Sequence, residues 1–264
     1  VIYGQKLVAL LDMDFLHAGL PQMQLKAVWQ APAEQTRLSI DKARVGEHRA
    51  FLRKMLGRLN ICSREYVIRQ YDHEVQGGSV VKPLVGEKGQ GPGDAAVVRP
   101  LLDKDQGIVL SNGICPRYSD LDTYWMLACS IDEAIRNNIA VGGNPLHMAG
   151  VDNFCWCDPV RSEKTPDGEY KLAQLVRANQ ALAHFCQAFA VPCISGKDSM
   201  KNDYTSKGVK ISIPPTVLFS LLSVVPDIKK CLTSDWKQPG DLIYLLGLTR
   251  PELGASEFAA ELGL

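Results

Sequence analysis

Between residues 61 and 225 the sequence switches between two kinds of patterning, and that switching limits what the chain can fold into. Short apolar runs at 80–81, 95–98 and 108–110 are separated by glycine-rich breaks at 77–78 and 86–93, the pattern of strands joined by turns. Two longer stretches, 120–140 and 169–189, are predicted to be helices. Asp120 is placed to cap the first and Gly142-Gly143 to stop it. In the second, Leu172, Leu175, Val176, Leu182 and Phe185 define an apolar face. Strands are predicted at 146–151, at 192–195 as a buried strand, and at 216–225 after Pro214-Pro215. The mix reads as an α+β fold, a mixed sheet with helices packed on one side.

The flanks read differently. Residues 1–30 suggest one or two strands and a turn, broken at Gly19-Leu20-Pro21. A polar linker at 32–36 leads to a predicted helix at 45–59, with Leu52, Met55, Leu56 and Leu59 on one face. The tail suggests a strand at 242–246, a turn at 247–251 and the start of a helix. The chain opens on Val1 rather than methionine and stops at Leu264 inside an apparently amphipathic helix, so it is expected to be a piece of a longer protein.

Lysine plus arginine number 29 and aspartate plus glutamate 29, giving a formal charge of zero. A chain that binds polynucleotide backbone usually carries a basic excess to displace counterions, so no nucleic-acid partner is expected. A single anionic ligand with its metal needs only a local site and remains open. Of the 8 cysteines only Cys155 and Cys157 are close together, and C-x-C without a second pair is a weak zinc signal. Reduced thiols acting as small apolar residues are the expectation. With no signal peptide and no apolar run approaching the roughly 20 residues that span a bilayer, no membrane partner is expected and a cytoplasmic location is the default.

Several polar groups could carry chemistry. Glu133 and Asn137 lie four apart on one helix face, with Ser130 beside them. They could form a solvated stripe or offer two oxygens to a hard cation. Gly93 and Asp94 sit in a G-P-G-D loop before a strand, where an aspartate can hold magnesium on phosphates or simply cap its own turn. The segment Ser195-Gly196-Lys197-Asp198-Ser199 lacks the upstream glycine of a Walker loop. It reads as a turn presenting a lysine, an acid and a hydroxyl, or as a hairpin tip. Asp152 is read as an acid at the end of an apolar strand. His73, between two acids, could be a general base but fits a structural role as well, while His147 reads as a core or strand histidine. Together the acids suggest a magnesium–nucleotide site.

Six segments in order then resemble one family: Y-D-H-E-V-Q-G-G-S-V-V-K-P-L, G-P-G-D-A-A-V-V-R-P, D-E-A-I-R-N-N, V-D-N-F-C-W, I-S-G-K-D-S-M and G-L-T-R-P-E-L-G-A-S-E. The chain resembles the formylglycinamidine ribonucleotide synthases, built from two copies of an aminoimidazole-ribonucleotide-synthase-like module. The resemblance implies the end of a preceding C-terminal-type subdomain at 1–40, a linker helix at 41–65, an N-terminal-type subdomain of the second copy at 66–225, and the start of the next C-terminal-type subdomain at 226–264. It implies an ATP- and glutamine-dependent C–N ligase of purine biosynthesis that phosphorylates formylglycinamide ribonucleotide and displaces the phosphate with ammonia. The ammonia would come from a glutaminase domain or subunit, and the other partner would be the rest of the synthase chain. Carried over by motif, Asp94, Glu133, Asn137 and Asp198 match magnesium ligands, and Gly93, Asp152, Gly196 and Ser199 match positions that touch ATP, ADP or substrate. No catalytic residue is assigned, because the family's catalytic histidine motif belongs to the first copy. Where shorter relatives read Asn-Val, Lys197-Asp198 stands here, so the turn's nucleotide site stays open. Two other readings stay open beside the ligase: a non-catalytic half that retains a structural nucleotide, and another ATP-using member of the superfamily.

Overall fold

The computed structural model describes residues 1–19, 22–32, 45–250 and 252–264. Leu20 and Pro21 of the expected break, residues 33–36 of the polar linker, 41–44 and Pro251 of the tail turn lie outside the described residues. The chain begins with a hairpin, β1 (Ile2–Tyr3) and β2 (Lys6–Leu7), followed by α1 (Met13–Ala18), whose N-cap Asp12 accepts the Asp14 amide. Helices α2 (His48–Leu56) and α3 (Glu65–Ile68) come next. Then follow β3 (Ser79–Val81), the small pair β4 (Leu84–Val85) and β5 (Gly91–Pro92), β6 (Ala96–Val98) and β7 (Gly107–Gly113). Helix α4 (Thr123–Ala140), β8 (Met148–Cys155), helix α5 (Gly168–Ala188) and β9 (Cys193–Ser199) alternate. The hairpin β10 (Asp203–Ser206) and β11 (Val209–Ser212) leads to β12 (Thr216–Val225), and α6 (Glu257–Glu261) lies near the end.

The main sheet has six strands in the order β3-β6-β7-β12-β8-β9. Its ladders are antiparallel except for β8 with β9, which run parallel. Strand β12 shows why the sheet is covered on one side only. Val217, Phe219, Leu221, Ser223 and Val225 are buried, while the alternating Leu222 and Val224 are exposed. The buried row meets α4 and α5 in a core that includes Met126, Leu127, Ile131, Phe154, Trp156 and Phe219. The α+β reading of the sequence holds, with both long helices on the same face.

Helix α4 starts after Asp122, not Asp120, because residues Pro116–Asp120 form a 3-10 turn and Asp122 accepts the Tyr124 amide at 2.9 Å. Its buried positions recur at three- and four-residue spacing through Leu127, Ser130, Ile131, Ala134 and Asn138. Asn138 pins the helix to the sheet: it donates to Ser111 at 3.1 Å and accepts from Ser223 at 2.5 Å, while Ser111 donates to the Ala134 carbonyl at 2.7 Å. Gly142 ends the helix region with φ +106.

Other expectations shift. The innermost residues of α5 are Ala173, Ala178 and Ala181, with Leu175, Leu182 and Phe185 flanking and Val176 exposed, since small side chains let two helices approach closely. Strand β9 is an exposed edge rather than a buried strand, because it pairs with β8 alone. His147 is exposed in the turn before β8. On α2, Leu52 and Leu56 face solvent, as does Leu59 beyond it. The helix docks instead through Phe51, edge-on to Phe258 at 5.3 Å, and through Lys54, which pairs with Glu261. Residues 242–246 form no strand and are exposed, because no neighbouring strand offers them a ladder among the described residues.

Candidate functional site

One group of predicted residues gathers at the end of β7. Glu133 projects from α4 and its Oε2 accepts the Ile114 backbone N–H at 2.8 Å, while Asn137 Nδ2 donates to the Asn112 carbonyl at 3.1 Å. The approach depends on Gly113: a side chain there would collide with the Ser130 carbonyl and lie 2.9 Å from Glu133 Cβ. Asp94 precedes β6 by two residues. It lies in the bend between β5 and β6, outside the strand ladder that begins at Ala96. Gly93 lies just before it, with its N–H on the Pro83 carbonyl at 3.1 Å, and a Cβ there would sit 2.8 Å from the Lys82 carbonyl. Beside Glu133 opens a cleft of about 450 Å³ lined by Arg64, Ile114, Cys115, Arg117, Tyr118 and Glu257. Burial and then the Glu133 charge push the Cys115 thiol up to about 12, so it stays protonated.

A second group sits farther along the sheet. Gly113, Phe219, Asp152 and Gly196 form one row across β7, β12, β8 and β9. Asp152 therefore shares the helix-covered face with Phe219 and is 8% exposed. It is a mid-strand residue of β8, not the strand end expected from the sequence. Gly196 makes room for its carboxylate, since a Cβ there would lie 2.8 Å from Asp152 Oδ1. Burial, and next the nearby charge of Asp198, holds the Asp152 carboxyl above its ordinary range.

The expected turn at 195–199 is instead extended strand, so its side chains alternate between faces. Asp198 pairs with Phe154 and points to the helix side with Asp152, whereas Lys197, across from Asn153, donates to Ser199 Oγ on the opposite face. Lys197, Asp198 and Ser199 are thus not presented together. Asn153 Oδ1 is buried without a hydrogen-bond partner. Adjacent strands lie about 4.8 Å apart, so Asp152 and Gly113 are separated by roughly 10 Å. Among the described residues no three of histidine, cysteine, aspartate and glutamate gather as a metal group. The structure brings Glu133 and Asn137 to one place and Asp152, Gly196 and Asp198 to another. His73 lies beside Glu74 at 3.9 Å, and Glu74 also pairs with Lys82 at 2.8 Å.

Sequence reasoning missed two neighbouring features. Glu257 accepts from Asn60 at 2.8 Å, from Arg117 at 2.7 Å and from Arg58 at 2.6 Å, joining three distant stretches at the cleft. Those hydrogen bonds, Asn60's first, hold its carboxyl down at about 2. Farther away, Trp29 stacks on Tyr170 at 5.6 Å beneath the Arg177 guanidinium at 4.4 Å, which straps the N-terminal segment to α5. Neither had a local sequence signal, because each joins side chains more than fifty residues apart.

Comparison with known proteins bears on this geometry. Residues 92–217 match the family described as AIR synthase related protein, N-terminal domain, a span that contains every one of the predicted site residues. Phosphoribosylformylglycinamidine synthase subunit PurL of Ignicoccus hospitalis is 38% identical over 209 residues, 78% of this chain and 26% of its own length. The chain belongs to the phosphoribosylformylglycinamidine synthase family. The same subunit of Anaeromyxobacter sp. is 32% identical over 260 residues, 96% of this chain and 31% of that relative. The chain thus spans about a quarter to a third of the synthase subunits it matches. Among solved structures, PurLQS from Thermotoga maritima superimposes with a TM-score of 0.55 at 26% identity, covering 89% of this chain and 32% of that one. T. maritima PurL complexed with FGAR gives 0.51 at 26% identity, with 87% and 31% covered. No helix among the described residues is long and apolar enough to cross a membrane.

Proposed function

We propose that this chain is the nucleotide-holding, AIR-synthase-like part of a phosphoribosylformylglycinamidine synthase. Such an enzyme is an ATP-dependent C–N ligase that turns formylglycinamide ribonucleotide into the amidine, with ammonia from a glutaminase domain or subunit. The observation that carries the reading is the placement of the candidate residues. All lie within the matched span, and one row of the sheet leads from the Glu133–Asn137 end to Asp152 and Gly196. The likeness to a PurL complexed with FGAR supports the substrate, and the likeness to PurLQS supports assembly with further synthase parts. A cytoplasmic location fits this role.

Glu133, Asn137 and Asp94 offer hard oxygen donors suited to magnesium, which takes one or two carboxylates and otherwise phosphate or water. When bound, magnesium and nucleotide supply the charge compensation that phosphoryl transfer needs. The chain's own residues fix the geometry. Glu133 is held by the Ile114 N–H, Gly93 keeps its backbone close to the Lys82 carbonyl, and Gly196 leaves space for the Asp152 carboxylate. Asp198 and Ser199, on opposite faces of β9, cannot both face one ligand by the same route; in this reading Asp198 joins Asp152.

Calorimetry with Mg-ADP and Mg-ATP tests the proposal. Binding is expected to vanish in Asp94→Ala and to weaken at least tenfold in Glu133→Gln, which loses the charge but keeps an acceptor for the Ile114 amide. The chain without the other synthase parts is expected to hydrolyse no ATP. Undiminished binding in both variants would remove the proposed site, and amidine formation by this chain unaided would overturn the division of labour.

A further inference from the structure

We infer that Cys186 and Cys193 are a site of reversible disulfide formation that ties the edge strand β9 to helix α5. Their sulfurs lie 3.6 Å apart as free thiols. A disulfide is about 2.05 Å long, so the two atoms need to close by only about 1.5 Å. The chain path favours the approach: the Val191 N–H returns to the Cys186 carbonyl at 2.9 Å, and Cys193 follows two residues later as the first residue of β9. Strand β9 is held on one side only, by β8, and is therefore free to yield. Cys193 is exposed, and a groove of about 580 Å³ beside both thiols, walled by Leu182, Ala183, Gln187 and Pro192, admits a small oxidant.

The oxidant is a low-molecular-weight disulfide. One cysteine thiolate attacks a sulfur of that disulfide, forming a mixed disulfide and releasing one small thiol. The other cysteine's thiolate then attacks the protein sulfur of the mixed disulfide, forming the Cys186–Cys193 bond and releasing the second small thiol. The protein loses two protons and two electrons, and the small disulfide is reduced to two thiols. Burial pushes both thiols up, Cys186 to about 12, so thiolate is scarce at neutral pH and the exchange is slow. The bond would fasten β9 close to functional ground. Cys193 is the register partner of Gly150, Gly196 faces Asp152, and the Asp152 charge acts on both thiols. This inference does not rest on nucleotide binding.

The test incubates the chain with glutathione disulfide, blocks remaining thiols with N-ethylmaleimide and maps peptides without reduction. A cross-linked peptide joining residues 186 and 193, lighter by two hydrogens and reversed by dithiothreitol, is expected. Amide exchange across β9 should slow by about tenfold in the oxidised form, as a closed short loop restricts local opening. Cys186→Ser should leave Cys193 carrying glutathione that no second thiol displaces, with folding checked by circular dichroism. Persistent glutathione on wild-type Cys186 or Cys193, or full alkylation of both after oxidation, would overturn the pairing, and this wild-type result decides even if the variant does not fold. Unchanged exchange in a cross-linked sample would overturn the clamping of β9.

Discussion

The polar bridge at Asn138 can be broken by a branched apolar residue, and a second substitution at Ser223 then isolates the hydrogen-bond contribution. Asn138, Ser223 and Ser111 are 0%, 0% and 6% exposed, so water cannot replace a lost partner. Asn138→Leu keeps the heavy-atom count and the branch at Cγ, although its methyl groups are bulkier than the amide. It strands the Ser223 hydroxyl, whose donor reaches Asn138 Oδ1, and removes the bond to Ser111, which keeps its own bond to the Ala134 carbonyl. A stranded buried hydroxyl costs about 1–3 kcal/mol, and the net loss of the second bond adds about 1 kcal/mol. The expected destabilisation is about 3 kcal/mol, a fall in Tm of roughly 10 °C for a chain of this size. Urea and thermal melts of Asn138→Leu, Ser223→Ala and the double variant measure it. Removing the stranded hydroxyl in the double variant should restore about 1–2 kcal/mol relative to Asn138→Leu. A single variant that loses less than about 1 kcal/mol, or a double variant worse than the sum of the two, would refute the argument that this network fastens α4 to β7 and β12.

Three further outcomes follow from the geometry. Glu257 has its carboxyl held at about 2 by Asn60, Arg117 and Arg58, so its contribution is complete above the ordinary glutamate range and is lost as pH falls from about 4.5 toward 2; Glu257→Gln should flatten the loss of thermal stability across that window, and parallel curves for the two proteins would contradict it. Asp152 is shifted the other way by burial and Asp198, so ionising it weakens the fold as pH rises past the ordinary aspartate range, and Asp152→Asn should raise Tm at pH 7 while weakening Mg-nucleotide binding; a lower Tm would show that the carboxylate is stabilised by something other than these neighbours. Trp29→Ala removes the stack on Tyr170 and the face beneath Arg177, and should cost about 1–2 kcal/mol in denaturant melts with nucleotide affinity unchanged.

The sequence carried the fold class because its two long helices and the apolar run of β12 stand out along the chain. The one-sided burial of β12 appears only in the structure, since Leu222 and Val224 put apolar side chains on the open face as well. Nor did the sequence reveal which side of each helix packs. On α5 the leucines catch the eye, yet alanines sit innermost, because the neighbouring α4 demands close approach. On α2 the leucine stripe faces solvent, because Phe51 and the charged residues bind α6 instead. For the candidate site, the helical spacing of Glu133 and Asn137 was legible and the two residues do anchor together on β7. The run at 195–199 was misread as a turn because Gly196 suggested one. Its glycine serves a neighbour rather than its own backbone: it clears space for Asp152 on the adjacent strand, a reason invisible to local sequence.

That separation into two groups constrains the ligand more than any single residue does. A magnesium ion holds its oxygens at about 2.1 Å, so ligands on one ion lie within roughly 4.2 Å of each other. Two strand spacings, roughly 10 Å, part Asp152 from the Gly113 end of β7, and one ion cannot join both groups as they stand. A nucleotide is long enough to reach across that gap, whereas a bare cation is not. The carboxylates of Asp152 and Asp198 repel one another, which leaves them in need of a counter-charge of their own. An extended polyphosphate with its metal at the Glu133 end meets the first condition. Whether a second cation meets the other is settled by the stoichiometry of magnesium bound with the nucleotide: one ion leaves Asp152 to be relieved by proton or by substrate, and two assign it a metal.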